Sequence, residues 1–276
     1  MRRAERVPDM VCVRVTRACN ARCSFCLAPP DGNHPNTDTL QRRIDWLFGH
    51  GMRVVHFCGG EPTLHPGLPR LLAQVRAHAA RGTRLTTNGI VMPDAVLDEL
   101  RASEARVKVS VHGDAAHHDH IVGRPVHDAV VRTIQRLVSR NVHTTVQTTM
   151  LASNPEGFDA VLKLSLELGV HGLTVMPFIP RGSGLNRADD FALSEAQRRQ
   201  ARARVRQARR AFSGRLDLRW IDLVTKPFYV LEPDGRLVIE GRSERFDVEL
   251  TQLGAPSEAR AISPTSTGRP PQPGSR

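Results

Sequence analysis

The sequence predicts an α/β protein, an open, partial (β/α)6 TIM-like barrel with a small C-terminal β extension. Three observations lead there. Short apolar runs alternate with amphipathic helical stretches from Met10 to about Phe212. Six such strand–helix units follow one another, and repeated β–α units require right-handed crossovers and a parallel sheet. The polar, glycine-bearing motifs fall just after the predicted strands, on the side where barrel enzymes keep their chemistry. Six units are too few for a closed eight-stranded barrel, so the barrel is expected to stay open.

The elements follow from periodicity and punctuation. Met10–Val15 is a short apolar strand, followed by a loop rich in Cys, Pro and Gly. Thr37–His50 carries Leu40, Ile44, Leu47 and Phe48 on one helical face. Arg53–Cys58 is a strand that runs straight into Gly59-Gly60-Glu61-Pro62. A helix over Pro66–Ala80 and a strand over Thr83–Thr87 lead to Asn88-Gly89. A helix over Met92–Ala102 and a strand over Ala105–Val111 lead to His112-Gly113. Val126–Arg140 is helical and Val142–Met150 a strand. Pro155–Leu168, with Pro suited to the first turn, is helical, and Gly172–Ile179 is the sixth strand. Ser194 caps a long helix that runs to about Phe212. Its arginines cover the solvent side of an apolar stripe of Ala201, Val205, Ala208 and Phe212.

The character of the chain changes after Gly214. Leu216–Ile221 and Phe228–Leu231 read as strands, and Glu232-Pro-Asp-Gly235 is a hairpin turn before Leu237–Glu240. Three regions are therefore expected: a barrel core over 1–213, a β-hairpin extension over 214–254, and a disordered tail over 255–276 rich in Pro, Ser, Gly and Arg.

Composition narrows the function. No apolar run approaches the roughly 18 residues needed to span a bilayer, and no signal peptide is read at Met1–Arg6, so a cytoplasmic protein without membrane contact is expected. The net charge of +11 would suit nucleic acid or an acidic substrate. However, the basic residues are nearly all arginine, as a GC-rich coding sequence produces. The aromatic content of 4% leaves little surface on which bases could stack, so nucleic acid is not expected as a partner.

The chemistry is concentrated in Cys19-x3-Cys23-x2-Cys26. A structural zinc site wants four ligands, and no second pair lies downstream at a suitable spacing. Three thiolates on one loop can instead hold three irons of a cubane cluster and leave the fourth iron open to a ligand. Zinc and chance clustering stand as the lesser alternatives. Cys12 and Cys58 are single residues inside predicted strands, where free cysteine behaves as a small buried hydrophobe. The histidines at 112, 117, 118, 120 and 127 show no convincing metal-ligand spacing.

Cys19-x3-Cys23-x2-Cys26, with Phe25 before the last cysteine, resembles the signature of the radical S-adenosylmethionine (radical SAM) superfamily. Gly59-Gly60-Glu61-Pro62 resembles that family's glycine-rich methionine-binding motif, and Thr86-Thr87-Asn88-Gly89 is also typical of it. The resemblance covers roughly residues 10–180. It implies one [4Fe–4S] cluster on Cys19, Cys23 and Cys26, and S-adenosylmethionine (AdoMet) chelated to the open iron. It implies AdoMet contacts for Phe25, Gly59, Gly60, Glu61, Pro62 and Asn88, a ribose or substrate contact for Ser110 or His112, and a carboxylate contact for Arg124. Gln147 and Met176 would border the adenine or the substrate.

The hairpin Tyr229–Glu240 resembles the opening of a SPASM or twitch extension, truncated here and lacking cysteines. Where those proteins begin an auxiliary cluster, this chain has Glu240-Gly241 and no later cysteine. A single cluster is implied. The expected function is reductive cleavage of AdoMet to a 5′-deoxyadenosyl radical. That radical abstracts hydrogen from a small anionic metabolite of sugar, nucleoside or amino-acid type in a biosynthetic pathway. An external one-electron reductant of flavodoxin or ferredoxin type is implied as a partner. Two alternatives stand beside this: a peptide maturase acting on a ribosomally made precursor, and a non-catalytic iron–sulfur sensor.

Overall fold

A computed structural model describes residues 7–222, 227–241 and 243–254. Ten strands form one sheet, in the order β10-β9-β8-β1-β2-β3-β4-β5-β6-β7. Seven are laid down in chain order and pair in parallel: β1 (Met10–Arg14), β2 (Val54–Cys58), β3 (Gly82–Thr87), β4 (Arg106–Ser110), β5 (His143–Met150), β6 (Gly172–Pro177) and β7 (Asp217–Trp220). The helices between them are α1 (Thr37–Gly49), α2 (Leu68–Ala77), α3 (Asp94–Ala102), α4 (Ala115–Val122), α5 (His127–Ser139), α6 (Gly157–Glu167), α7 (Ala188–Phe191) and α8 (Glu195–Ala211). The predicted partial (β/α)6 barrel is therefore observed, with further strands at both edges of its sheet.

Alternation along each strand sorts the side chains. Val11, Val13, Val55, Phe57, Leu85, Val107, Val109, Val146, Leu173 and Val175 join the helices in one large core. Their neighbours on the other face line the barrel interior and are mostly polar: Arg14, His56, Arg84, Thr86, Lys108, Gln147. The strands thus carry a dry outer face and a polar inner one, as a barrel with an internal site requires.

The segment expected as one extension divides between the two edges of the sheet. β7 pairs in parallel with β6. β8 (Phe228–Leu231) crosses to the opposite edge and pairs in parallel with β1, and β9 (Arg236–Glu240) and β10 (Val248–Gln252) follow antiparallel. The expected tail over 255–276 lies outside the described residues. Among the described residues, no helix is long and apolar enough to cross a membrane.

Two local expectations are corrected. The histidine-rich stretch after β4, to which the periodicity assigns no element, is a helix, α4. Asp114 caps it by accepting from His117 N–H, and Gly123 ends it in the left-handed region at φ 74°. The helical period was obscured because four of its eight residues are Asp or His. Cys12 and Cys58, expected as single buried residues, form a disulfide between β1 and β2. Both face the barrel interior from adjacent strands, which no sequence period reveals.

Candidate active site

The chain leaves β1 and covers the mouth of the barrel as a loop carrying Cys19, Cys23 and Cys26, all free and half-buried. The loop has little regular structure, so its place is set by contacts. Arg22 and Ser24 N–H donate to the carbonyls of Val122 and Ile121 at 2.9 and 3.2 Å, using acceptors that the last turn of α4 leaves open. Arg124 Nη1 donates to Asn20 O at 2.7 Å. Ser183 N–H donates to Cys26 O at 2.9 Å. A Cβ on Gly182 would stand 2.3 Å from that same carbonyl, so glycine is required for this approach.

Burial pushes all three thiols up. In Cys23 the neighbouring Cys26 and Cys19 add to the effect, and it is pushed up to about 12. Burial raises Cys26 too, opposed by the Ala28 N–H and by Arg14 and Arg17. At neutral pH the free thiols are protonated, so a metal must displace their protons to bind. Among the described residues no three Cys, His, Asp or Glu side chains are gathered around a single metal-ion position. Cubane ligands each take a different iron and stand apart, so three separated thiols on one loop suit a cluster better than a lone ion.

The Gly59–Pro62 turn is stitched to the start of the cysteine loop. Gly60 and Glu61 N–H donate to Thr16 and Ala18 carbonyls, each at 2.8 Å. A Cβ on Gly59 would lie 2.4 Å from Thr16 O, and one on Gly60 would lie 2.3 Å from Ala18 O. Both glycines are therefore needed for backbone packing. Glu61 is fully buried. Its Oε1 accepts from Thr63 N at 3.0 Å, Thr63 Oγ1 at 2.7 Å and Thr87 Oγ1 at 2.7 Å; its Oε2 accepts from Asn88 N at 2.6 Å. The carboxylate locks the loops after β2 and β3 together. Asn88 continues the chain of contacts, donating through Nδ2 to Asn20 Oδ1 at 2.7 Å and to Cys19 Sγ at 3.8 Å. Pro62 is buried in the short turn that follows Glu61.

The remaining predicted residues line the strand ends beyond. Phe25 meets the His112 ring edge-on at 4.9 Å, which joins the cysteine loop to the end of β4. Thr149 N–H donates to His112 Nδ1 at 3.3 Å, so that nitrogen is unprotonated and the hydrogen sits on Nε2. Burial, with His118 nearby, pushes His112 down to about 3, so the ring is neutral. Ser110 and Gln147 are register partners on β4 and β5, and Met176 pairs with Thr149 across β5 and β6. Arg124 is spent on the cysteine-loop backbone. A cleft of about 600 Å³ opens beside that loop, lined by Ser24, His120, Ile121, Asn154, Arg187 and Phe191 among others.

Sequence reasoning missed an ion network under the mouth. Arg14 pairs with Glu232 and, at 2.6 Å, with Glu240; Arg17 reaches Glu232 at 2.8 Å; Arg181 holds Asp247 with two bonds of 2.7 Å each. These residues lie up to 226 positions apart, and no local spacing joins them. Glu240, at the position where SPASM and twitch proteins begin an auxiliary cluster, accepts from Arg14.

The family model described as the radical SAM superfamily matches residues 13–165. The chain belongs to that superfamily. Membership implies a [4Fe–4S] and AdoMet site. A GTP 3′,8-cyclase of Chlorobaculum tepidum is 33% identical over 178 residues, 62% of this chain and 53% of that protein. A PqqA peptide cyclase of Xanthomonas campestris pv. campestris is 28% identical over 246 residues, 87% of this chain and 64% of that protein. The chain thus spans between about half and two thirds of the length of these curated relatives. Among solved structures, anSMEcpe with bound AdoMet matches with a TM-score of 0.73 at 15% identity, over 89% of this chain and 78% of that one. Streptococcus suis SuiB bound to its precursor peptide SuiA matches with a TM-score of 0.69 at 15% identity, over 83% and 58%. The shared fold includes strands beyond the radical SAM core.

These comparisons correct the expected small-molecule partner. The similarity to the GTP cyclase stops at 62% of the chain. Similarity that covers 82–87% of it is to PqqA peptide cyclases, at 26–29% identity. Two solved proteins of like fold, SuiB and anSMEcpe, are each captured with a peptide.

Proposed function

We propose that this chain is a radical SAM peptide maturase: it acts on a peptide or protein segment, using one [4Fe–4S] cluster held by Cys19, Cys23 and Cys26. The observation that carries the substrate class is the extent of similarity to peptide cyclases, over 87% of the chain and therefore past the radical SAM core. When bound, the cluster and AdoMet supply one-electron cleavage of the sulfonium to a 5′-deoxyadenosyl radical that removes a hydrogen atom from the substrate.

The chain's own residues have distinct roles in this reading. Asn88 orients Cys19, and Glu61 holds the loops after β2 and β3 in one arrangement. Gly59, Gly60 and Pro62 shape the turn against which the methionine end of AdoMet lies. Phe25 and His112 close the site against water, and His112 presents an uncharged Nε2–H. Ser110, Gln147 and Met176 border the nucleoside or the substrate. Arg124 fixes the cysteine loop through Asn20. The cleft between that loop and α7 gives a peptide access from the side. The 214–254 segment acts as a cysteine-less, twitch-like extension whose carboxylates hold Arg14, Arg17 and Arg181.

The test measures 5′-deoxyadenosine released by the reconstituted, dithionite-reduced protein with AdoMet. Peptides encoded by short reading frames beside the gene are added one at a time. At least one should raise release about tenfold above the substrate-free background and show a mass change. If none does, the peptide assignment fails.

A further inference from the structure

The interior face of the barrel carries an unusual set of charges. Val107 and Val109 of β4 are fully buried in the helix-facing core, so Arg106 and Lys108 project to the other side. By the same alternation His56 of β2 and Arg84 of β3 face inward. Register sets them side by side: His56 opposite Arg84, Arg84 opposite Arg106, and Lys108 opposite Thr86. His56 Nε2 and Thr86 Oγ1 share a hydrogen bond of 2.7 Å on this face. Arg219 of β7 lies four strands away from β3, yet its charge bears on both Arg84 and Lys108. The sheet therefore curls far enough for β7 to look at β3 and β4 across the interior.

Acids are scarce there. Asp217 lies at the same level on β7, and its carboxylate already holds Arg219 at 2.5 Å. Arginines nearer the mouth do have acids: Arg14 has Glu232 and Glu240, and Arg181 has Asp247 and Glu240. Arg106, opposite Arg84 on the inner face, has no such acid among the described residues. Among the described residues, neither the Arg84 nor the Lys108 side chain makes an ion pair or a hydrogen bond. Burial together with Arg84 and Arg219 pushes Lys108 down to about 8, and His56 down to about 3 under Lys108 and Arg84. Like charges in a partly desolvated space repel strongly unless an anion neutralises them.

We propose that Arg84 and Lys108 form a carboxylate-binding subsite inside the barrel, which receives an acidic side chain of the peptide substrate. The occupant's being a peptide rests on the function proposed above. A planar guanidinium offers a paired donor edge, and an ammonium adds a movable point charge, a combination suited to one carboxylate. The depth is suitable as well. Lys108 lies two residues below Ser110, and Arg84 four below Asn88, which is about 7 and 13 Å at the rise of a parallel strand. A carboxylate held there would anchor the substrate beneath the strand ends that carry the reacting groups, and so select which residue is presented.

The chain has three lysines, Lys108, Lys163 and Lys226, so 13C-labelled lysine gives a short spectrum that K108M assigns. The experiment uses the oxidised, cluster-loaded protein. Acetyl-Glu-amide should move the titration midpoint of Lys108 up by roughly one pH unit and leave Lys163 unmoved. Acetyl-Gln-amide should move neither. R84Q should weaken the Glu response at least tenfold, and K108R should still bind the Glu probe by chemical-shift mapping of the barrel strands. Equal responses to the Glu and Gln probes overturn the subsite, as does an equal response to AdoMet alone. The two proposals separate cleanly. Peptide-stimulated 5′-deoxyadenosine without a Glu response removes the subsite and keeps the peptide substrate. A Glu response with no active peptide removes the peptide substrate and keeps a carboxylate acceptor.

Discussion

At the mouth of the barrel, Arg14 sits between Glu232 and Glu240, Arg181 between Glu240 and Asp247, and the buried Glu61 accepts four hydrogen bonds. Deeper inside, Arg84 and Lys108 share a wall with Arg106, and the nearby Asp217 is taken by Arg219. The same residue types are thus saturated with partners in one region and left without acids in the next. Paired, hydrogen-bonded charge holds loops in place and has little left to offer a ligand. Like charges left without a counter-charge carry a standing electrostatic cost that a bound anion relieves. In the reading proposed above, the mouth is framework around the cofactor site, and the interior is where substrate selection would be expressed.

The largest effect that can break this picture comes from the cysteines. C23A should remove the iron–sulfur chromophore, most of the iron content and all detectable 5′-deoxyadenosine. A variant that kept turnover would remove the cluster from this loop. Next comes the network at the mouth. E232A removes one of the two carboxylates on buried Arg14, which keeps Glu240, and the carboxylate on half-buried Arg17, and should cost about 3 kcal/mol or less in denaturant unfolding. An unchanged midpoint would mean that the extension does not hold the cysteine loop.

The third effect sharpens the interior side of the comparison. Lys108 is held below its ordinary value in the folded chain, so the unfolded chain binds the extra proton between about pH 8 and 10.5. The folded state is penalised below that window, and this contribution to stability should rise with pH across it, by about 3 kcal/mol. K108M should flatten that rise and lift the midpoint at pH 7. A K108M protein that is less stable at pH 7 would show that Lys108 has a partner and is no open acceptor.

The fold was legible in the sequence because its signals are local. Strand and helix periods alternate through Phe212, and the ends of β2, β3, β4 and β6 are marked by glycine, asparagine or proline. α4 escaped because histidine and aspartate blur its helical period, although Asp114 and Gly123 bracket it as caps. The crossing of β8 to β1 also escaped. Nothing in Phe228–Leu231 distinguishes a strand that joins β1 from one that follows β7, and that choice depends on which edge is open. In the site, Cys19, Cys23, Cys26, Gly59, Gly60 and Asn88 stood out by spacing and position. The roles of Glu61, Arg124 and Glu240 did not, since each is defined by a partner from 27 to 226 residues away.

By itself, then, the sequence determined the α/β barrel, the three clustered thiols and the absence of a cysteine beyond Cys58. All of these are matters of local pattern or of count. Only the tertiary structure decided where the charges go. A strand's alternation says that Lys108 and Val109 face opposite ways. Which face is a dry core and which an enclosed polar space depends on how the sheet curls. Whether an arginine there finds a carboxylate depends on chain segments more than 200 residues apart meeting at one edge of the sheet.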